Sequence, residues 1–217
     1  VSTAKICGLS TAETVQAAVQ GGAAYLGFNF FPKSPRYVTP LAAGRLTELA
    51  RRPGPRKPPG IVAVAVDPDD ALVDQIMAAL KPDFIQLHGQ ETPARAQAIR
   101  ARSGVGLIRA LPVSDAGDIE AAARWDGLAD HLLFDARPPK DSELPGGTGA
   151  RFDWTLLSGR KFTRPHMLAG GLDPWNVAEA LRLSGAPVAD VSSGVERGPG
   201  IKDGPLITAF LDAVRSL

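Results

Sequence analysis

Short runs of β-branched and aromatic residues alternate along the chain with longer Ala- and Leu-rich stretches that open on polar residues. The runs predict strands over 5–7, 25–30, 61–66, 84–88, 106–111, 131–135, 166–170 and 188–192. The stretches between them predict helices over 11–20, 39–51, 69–80, 92–102, 114–125, 154–157, 174–183 and 205–217. Several carry start signals: Thr92 ahead of Pro93, Asp173 ahead of Pro174, Ser114 with Gly117 downstream, and Ser10 before the first. Strict alternation of strand and helix predicts a parallel sheet, because parallel neighbours need a crossover. The run Ile61-Val62-Ala63-Val64-Ala65-Val66 is apolar on both faces, as a sheet covered on one side and filled on the other requires. Eight such units predict an α/β fold of the (β/α)8 TIM-barrel type, a single domain over 1–217. A doubly wound open sheet is the competing architecture. It usually has fewer strands and often a G-x-G-x-x-G turn after the first, whereas this turn reads Cys7-Gly8-Leu9-Ser10-Thr11.

Charge narrows the choice of partner. Lys and Arg number 24 against 23 Asp and Glu, so no net field favours nucleic acid or an acidic membrane surface, and a small molecule is the expected ligand. No apolar run approaches the ~20 residues of a membrane helix, and the start, Val1-Ser2-Thr3-Ala4-Lys5, lacks the apolar segment of a signal peptide. The single cysteine excludes an internal disulfide and a multi-thiolate zinc site, which fits a cytoplasmic protein. The proline-rich stretch 51–60 reads as a solvated loop between the second helix and the third strand.

In barrels of this kind chemistry collects at the carboxyl ends of the strands. Those ends carry Cys7, Asn29, Asp67, His88, Arg109, Asp135, Gly170-Gly171 and Ser192-Ser193-Gly194. Strand alternation places Lys5 on the same face as Cys7, a proximity that should favour the thiolate. Equally, a lone cysteine can be only a small buried hydrophobe. The glycines and serines ending strands seven and eight suit a phosphate held by backbone N–H groups, or else are a tight turn and a cap. Arg36, after Ser34-Pro35, offers a planar fork to a carboxylate, although an arginine after proline is often just solvated. The loop 138–149, with Pro145-Gly146-Gly147-Thr148-Gly149, is long enough to cover a ligand or to be a plain surface loop. His131 and His166 begin strands at the opposite rim and read as structural. No His/Asp/Glu spacing marks a metal site, and no G-x-S-x-G appears.

Taken together, Lys5-Ile6-Cys7-Gly8-Leu9, Lys33-Ser34-Pro35-Arg36-Tyr37-Val38, Gln86-Leu87-His88-Gly89, Gly146-Gly147-Thr148-Gly149, Leu168-Ala169-Gly170-Gly171-Leu172 and Asp190-Val191-Ser192-Ser193-Gly194-Val195-Glu196 resemble the phosphoribosylanthranilate isomerase family. Gly200-Ile201-Lys202-Asp203 matches the end of its last signature, so the resemblance runs the length of the chain. It implies a barrel enzyme of tryptophan biosynthesis that performs an Amadori rearrangement with no metal or cofactor. It further implies Cys7 as general base and Asp135 as general acid. Arg36 would take the anthranilate carboxylate, the loops of Gly170, Gly171, Ser192, Ser193 and Gly194 the phosphate, and His88 and Asp190 would line the pocket. A carboxyl with a reference pKa of about 3.9 must be held protonated by desolvation or a nearby anion to donate. The loops near Asp67 and His88 lack glycine-rich seats, so one phosphate site is expected. Another phosphosugar barrel such as an epimerase, and a sugar-phosphate binder without chemistry, are the competing readings. Monomer and homodimer stay equally open.

Overall fold

The computed structural model describes residues 2–54, 56–125 and 127–217. Val1, which opens the predicted signal-free start, and Pro55 of the proline-rich stretch lie outside them, as does Asp126.

Eight parallel strands close a barrel in chain order: β1 (Thr3–Cys7), β2 (Tyr25–Asn29), β3 (Gly60–Ala65), β4 (Phe84–Leu87), β5 (Gly106–Val113), β6 (His131–Ala136), β7 (His166–Leu168) and β8 (Val188–Val191). β8 returns to β1 in a register that sets Lys5 beside Asp190. The helices are α1 (Ala12–Gly21), α2 (Pro40–Ala50), α3 (Asp70–Leu80), α4 (Pro93–Ser103), α5 (Ala116–Glu120), α6 (Val177–Ser184) and α7 (Gly204–Arg215). A short antiparallel hairpin of β9 (Glu196–Gly198) and β10 (Ile201–Lys202) follows β8.

Period-two alternation sorts the side chains into two shells. Val62, Val64, Ile108, Leu133, Met167 and Ala169 fill the barrel. Ile6, Leu26, Phe28, Ile61, Phe134 and Ala189 point outward and meet the helices. Each fully buried large side chain, such as Phe28 or Phe210, contributes roughly 1.5–3 kcal/mol of apolar burial. At the floor, His131 packs edge-on to Tyr25 and Phe84, with centroids 5.9 and 5.3 Å away. His166 stacks outside against Phe162, 4.7 Å away. Burial pushes the pKa of both histidines down, so neither carries charge near neutrality.

Four local expectations are corrected. Unit six carries a single 3-10 turn at Trp154–Leu157 instead of a helix, because the preceding segment is spent on the loop over the barrel mouth. Phe162 and Trp154 pack against the outer core in its place. The predicted fifth helix is a short α5 running into a 3-10 segment at Ala121–Trp125, and its cap is Asp115 rather than Ser114. Asp173 does not cap α6: its Oδ1 accepts from the N–H groups of Trp175 and Asn176, and that turn delays the helix to Val177. Thr11, one residue past Ser10, caps α1. Thr92 caps α4 as the sequence predicts.

Candidate active site

β1 stops at Cys7 because Gly8 turns the chain with φ +78°, and a Cβ at Gly8 would stand 2.7 Å from Arg36 Cδ. Glycine there admits both the turn and the arginine. One pocket opens at the carboxyl ends of the strands. Nine of the ten residues predicted for the site line it: Cys7, Arg36, His88, Asp135, Gly170, Gly171, Asp190, Ser192 and Ser193. Gly194 stands behind, where a Cβ would meet the Leu172 carbonyl at 1.8 Å, so it lets the β7 and β8 loops pack together.

On the Cys7 side the charges are buried and paired. Lys5 is fully buried inside the barrel, and its Nζ donates to Asp190 Oδ1 at 2.9 Å. Burial works against its ammonium, but Asp190 and Cys7 outweigh it and hold the Lys5 pKa above the ordinary value. The predicted thiolate is corrected by the same surroundings. Burial pushes the Cys7 thiol up, Lys5 opposes, and Asp190 adds to the rise, so the net shift is upward. Lys202 reaches in from β10, donating to the Ser192 carbonyl at 2.9 Å, to Ser192 Oγ at 3.2 Å and to Glu196 Oε1 at 2.5 Å. Ser192 Oγ in turn donates to the Cys7 carbonyl at 3.2 Å.

Arg36 is 5 % exposed, so the solvated reading does not apply. Its Nε and Nη2 donate to the two oxygens of Glu196 at 2.7 and 2.9 Å, and Nη2 also reaches the Gly147 carbonyl at 3.1 Å. The planar fork predicted for a ligand is therefore turned toward Glu196, leaving Nη1 as the nitrogen not bound to that carboxylate. Burial would raise the Glu196 carboxyl, but hydrogen bonds from Arg36 and Lys202 hold it below its usual range.

Across the mouth, Asp135 ends β6 and His88 follows β4, with His88 Nε2 3.4 Å from Asp135 Oδ2. The long loop lies over both. Gly147 and its neighbours line the pocket, and a Cβ on Gly146 would stand 2.5 Å from Asp135 Oδ2. At the β7 loop, Gly170 and Gly171 have φ +89° and +62°. Asn176 Nδ2 and Arg151 Nε both donate to the Gly171 carbonyl, at 2.9 and 3.0 Å, which fixes that turn.

Two predicted rim residues turn away from the pocket. β5 runs on to Val113, so Arg109 lies mid-strand and on the outer face, over the Trp125 ring at 4.4 Å and paired with Glu91. Glu91 also accepts from the Asp67 N–H at 2.8 Å, and Asp67 Oδ1 accepts from Gln90 N–H at 2.7 Å. These groups tie the β3 and β4 loops to each other. Among the described residues no three His, Cys, Asp or Glu side chains converge as metal ligands, and no helix is long and apolar enough to cross a membrane.

Residues 4–213 match the family profile described as N-(5'-phosphoribosyl)anthranilate (PRA) isomerase. The chain belongs to this family. The N-(5'-phosphoribosyl)anthranilate isomerase of Caulobacter sp. (strain K31) is 64% identical over 212 residues, covering 98% of each chain. The crystal structure of phosphoribosyl anthranilate isomerase from Thermotoga maritima is 33% identical with a TM-score of 0.86 over 100% of both chains. A phosphoribosyl anthranilate isomerase in complex with reduced 1-(o-carboxyphenylamino)-1-deoxyribulose 5-phosphate is 31% identical, with a TM-score of 0.83 over 100% of both.

Within this isomerase fold, the groups that sequence reasoning passed over are Glu196, Lys202 and Asn176. Glu196 and Lys202 stand in the quoted motifs, six positions apart across the turn at Gly200. A carboxylate and a lysine on either side of a two-strand turn were the available signal. Asn176 was hidden by the misplaced start of α6.

Proposed function

We propose that this chain converts N-(5'-phosphoribosyl)anthranilate to 1-(2-carboxyphenylamino)-1-deoxyribulose 5-phosphate, with Asp135 as the acid and Cys7 as the base. The observation that carries the reading is the convergence of Cys7 from β1 and Asp135 from β6 on one pocket, between a buried arginine and glycine-rich loops. The product analogue bound to a relative with the same fold supports the substrate class.

The chemistry is an internal redox rearrangement. Asp135 protonates the ribose ring oxygen, and the C1–O bond opens to an iminium. Cys7 then removes the proton from C2, and the electron pair left behind neutralises the iminium to give an enolamine. Loss of the C2 hydroxyl proton and protonation at C1 complete the ketone, so the atoms of substrate and product are the same. A thiol raised by burial supplies a smaller thiolate fraction near neutrality, but each thiolate is a stronger base toward a C–H bond. Lys5, held as ammonium beside it, stabilises the anion once formed.

The two anions of the substrate are divided between the loops. Arg36, clamped by Glu196, presents Nη1 to the anthranilate carboxylate. Backbone N–H groups at Gly170, Gly171, Ser192 and Ser193 receive the phosphate. The loops after β3 and β4 lack the paired glycines that follow β7, which suits a single phosphate seat.

The test is the decay of anthranilate-type fluorescence when purified protein meets fresh phosphoribosylanthranilate, corrected for spontaneous loss. Wild type should consume it rapidly, and Cys7→Ala and Asp135→Asn should each run at least ~100-fold slower. Turnover in both variants close to wild type would reject the assignment of roles.

A further inference from the structure

β4 sends Gln86 into the barrel, where it is fully buried, and His88 to the rim two residues later on the same face. Gln86 Nε2 lies 3.0 Å from His88 Nδ1, while Gln86 Oε1 has no hydrogen-bond partner. Its neighbours in register on β3 and β5 are Val64 and Ile108. The amide now pairs one of its two N–H groups, and turning it over would leave both among these apolar surroundings. Unsatisfied buried donors are rarer than under-satisfied carbonyls, so the orientation with nitrogen toward His88 is the favoured one.

We propose that Gln86 is a positioning residue: it donates to His88 Nδ1, fixes the ring as the Nε2–H tautomer, and thereby selects the Asp135 oxygen that carries the transferable proton. The proposal rests on the acid role of Asp135 given above. An amide N–H can only donate, so the Nδ1 it meets must offer its lone pair, and the neutral ring then bears its proton on Nε2. Nε2 is the nitrogen that faces Asp135 Oδ2, 3.4 Å away. That separation exceeds a formed hydrogen bond, and contacts of this kind shorten when a ligand fills the site. With an N–H aimed at Oδ2, that oxygen acts as acceptor, and the carboxyl proton resides on Oδ1. When Asp135 gives its proton to the ring oxygen, the same N–H stabilises the carboxylate that remains. Gly146 holds the pair together from above, since a Cβ there would stand 2.5 Å from Oδ2 and 2.6 Å from His88 Nε2.

The experiment reads the tautomer directly. Protein labelled with 15N-histidine, at a pH of about 8 where an ordinary imidazole of pKa ~6.5 is neutral, gives long-range 15N–1H correlations that distinguish Nε2–H from Nδ1–H. Only 3 histidines are present, and His88→Gln identifies the signal by its loss. Wild type should show His88 as Nε2–H. Gln86→Glu replaces the donor with an acceptor and should put a proton on Nδ1. Its kcat should fall ~10-fold or more with KM within about 3-fold, because an imidazolium holds Asp135 ionised and an Nδ1–H ring draws its proton to Oδ2. Gln86→Met, which fills similar space without an amide, should lose less turnover than Gln86→Glu. Wild-type His88 protonated on Nδ1 would overturn the proposal, and that measurement needs no variant to fold. Equal losses in Gln86→Met and Gln86→Glu with an unchanged His88 signal would overturn it too, since Gln86 would then be only packing. If wild type shows Nε2–H yet consumes no phosphoribosylanthranilate, the tautomer assignment stands and the acid role of Asp135 falls.

Discussion

On the β1 and β8 side of the mouth, Cys7 sits among five charged side chains, Lys5, Asp190, Lys202, Glu196 and Arg36, all buried or nearly so and each with a partner of opposite sign. On the β4 and β6 side, Asp135 has one imidazole and a run of loop glycines for company. The first region needs many charges because a buried ion left alone is costly, so its three cations are held by two carboxylates, Lys5 by Asp190 and both Arg36 and Lys202 by Glu196. In the proposed reaction the second handles a single proton, for which one oriented N–H is enough. The difference separates two ways of tuning an acidic group: by the balance of a field, and by the direction of one hydrogen bond.

Breaking the field should be the more damaging. Asp190→Leu strands the Lys5 ammonium in the barrel and should lower stability by roughly 3–5 kcal/mol, read as a fall in Tm of about 2–4 °C per kcal/mol for a chain of this size. His88→Ala across the mouth should cost less than half of that. Equal losses would abolish the contrast between the two regions. Glu196→Gln comes next. It weakens both charge-assisted bonds that hold Arg36, so KM should rise on the order of tenfold while kcat changes by only a few-fold. A fall in kcat at constant KM would instead place Glu196 in the chemical steps.

The raised Cys7 thiol makes a pH prediction of known sign. Its thiolate fraction keeps growing past the ordinary thiol pKa of about 8.5 instead of levelling off there, so kcat/KM should keep rising beyond that pH. A plateau already reached at pH 7 would show that the cations win over burial. The smallest effect concerns acid. The Glu196 carboxyl is held below its unfolded value, so its contribution is present above the ordinary carboxylate range and is lost as pH falls through it. Urea titrations between about pH 5 and 3 should show a shallower loss of stability in Glu196→Gln than in wild type.

The barrel was legible because its strands are short, apolar and separated by long helical stretches. The run 61–66 and the cap at Thr92 say the same thing locally that the closed sheet says globally. Cys7, His88 and Asp135 were legible as strand-end residues. Arg109 was not, because β5 runs four residues past it and alternation turns it to the outer face, and strand ends are the part of a pattern that local sequence defines least. The net shift of the Cys7 thiol was hidden for a different reason. A lysine two residues away is visible in sequence, whereas complete desolvation and a carboxylate from β8, at the far end of the chain, come only from closing the barrel. Unit six shows the converse: the stretch 154–157 expected as a helix is there, but four residues after the long mouth loop form only a 3-10 turn.

Cys7 is the only thiol among 217 residues. It is 8 % exposed, and the span 144–150 lines the same pocket. A thiol-selective reagent therefore has one target in the whole molecule, and it must pass through the pocket that this span lines. At fixed pH the thiolate fraction is common to every reagent, so the ratio of modification rates for a small and a bulky electrophile gauges how narrow that passage is. The unmodified protein thus carries its own gauge of access to the site, with no label introduced and no substrate turned over.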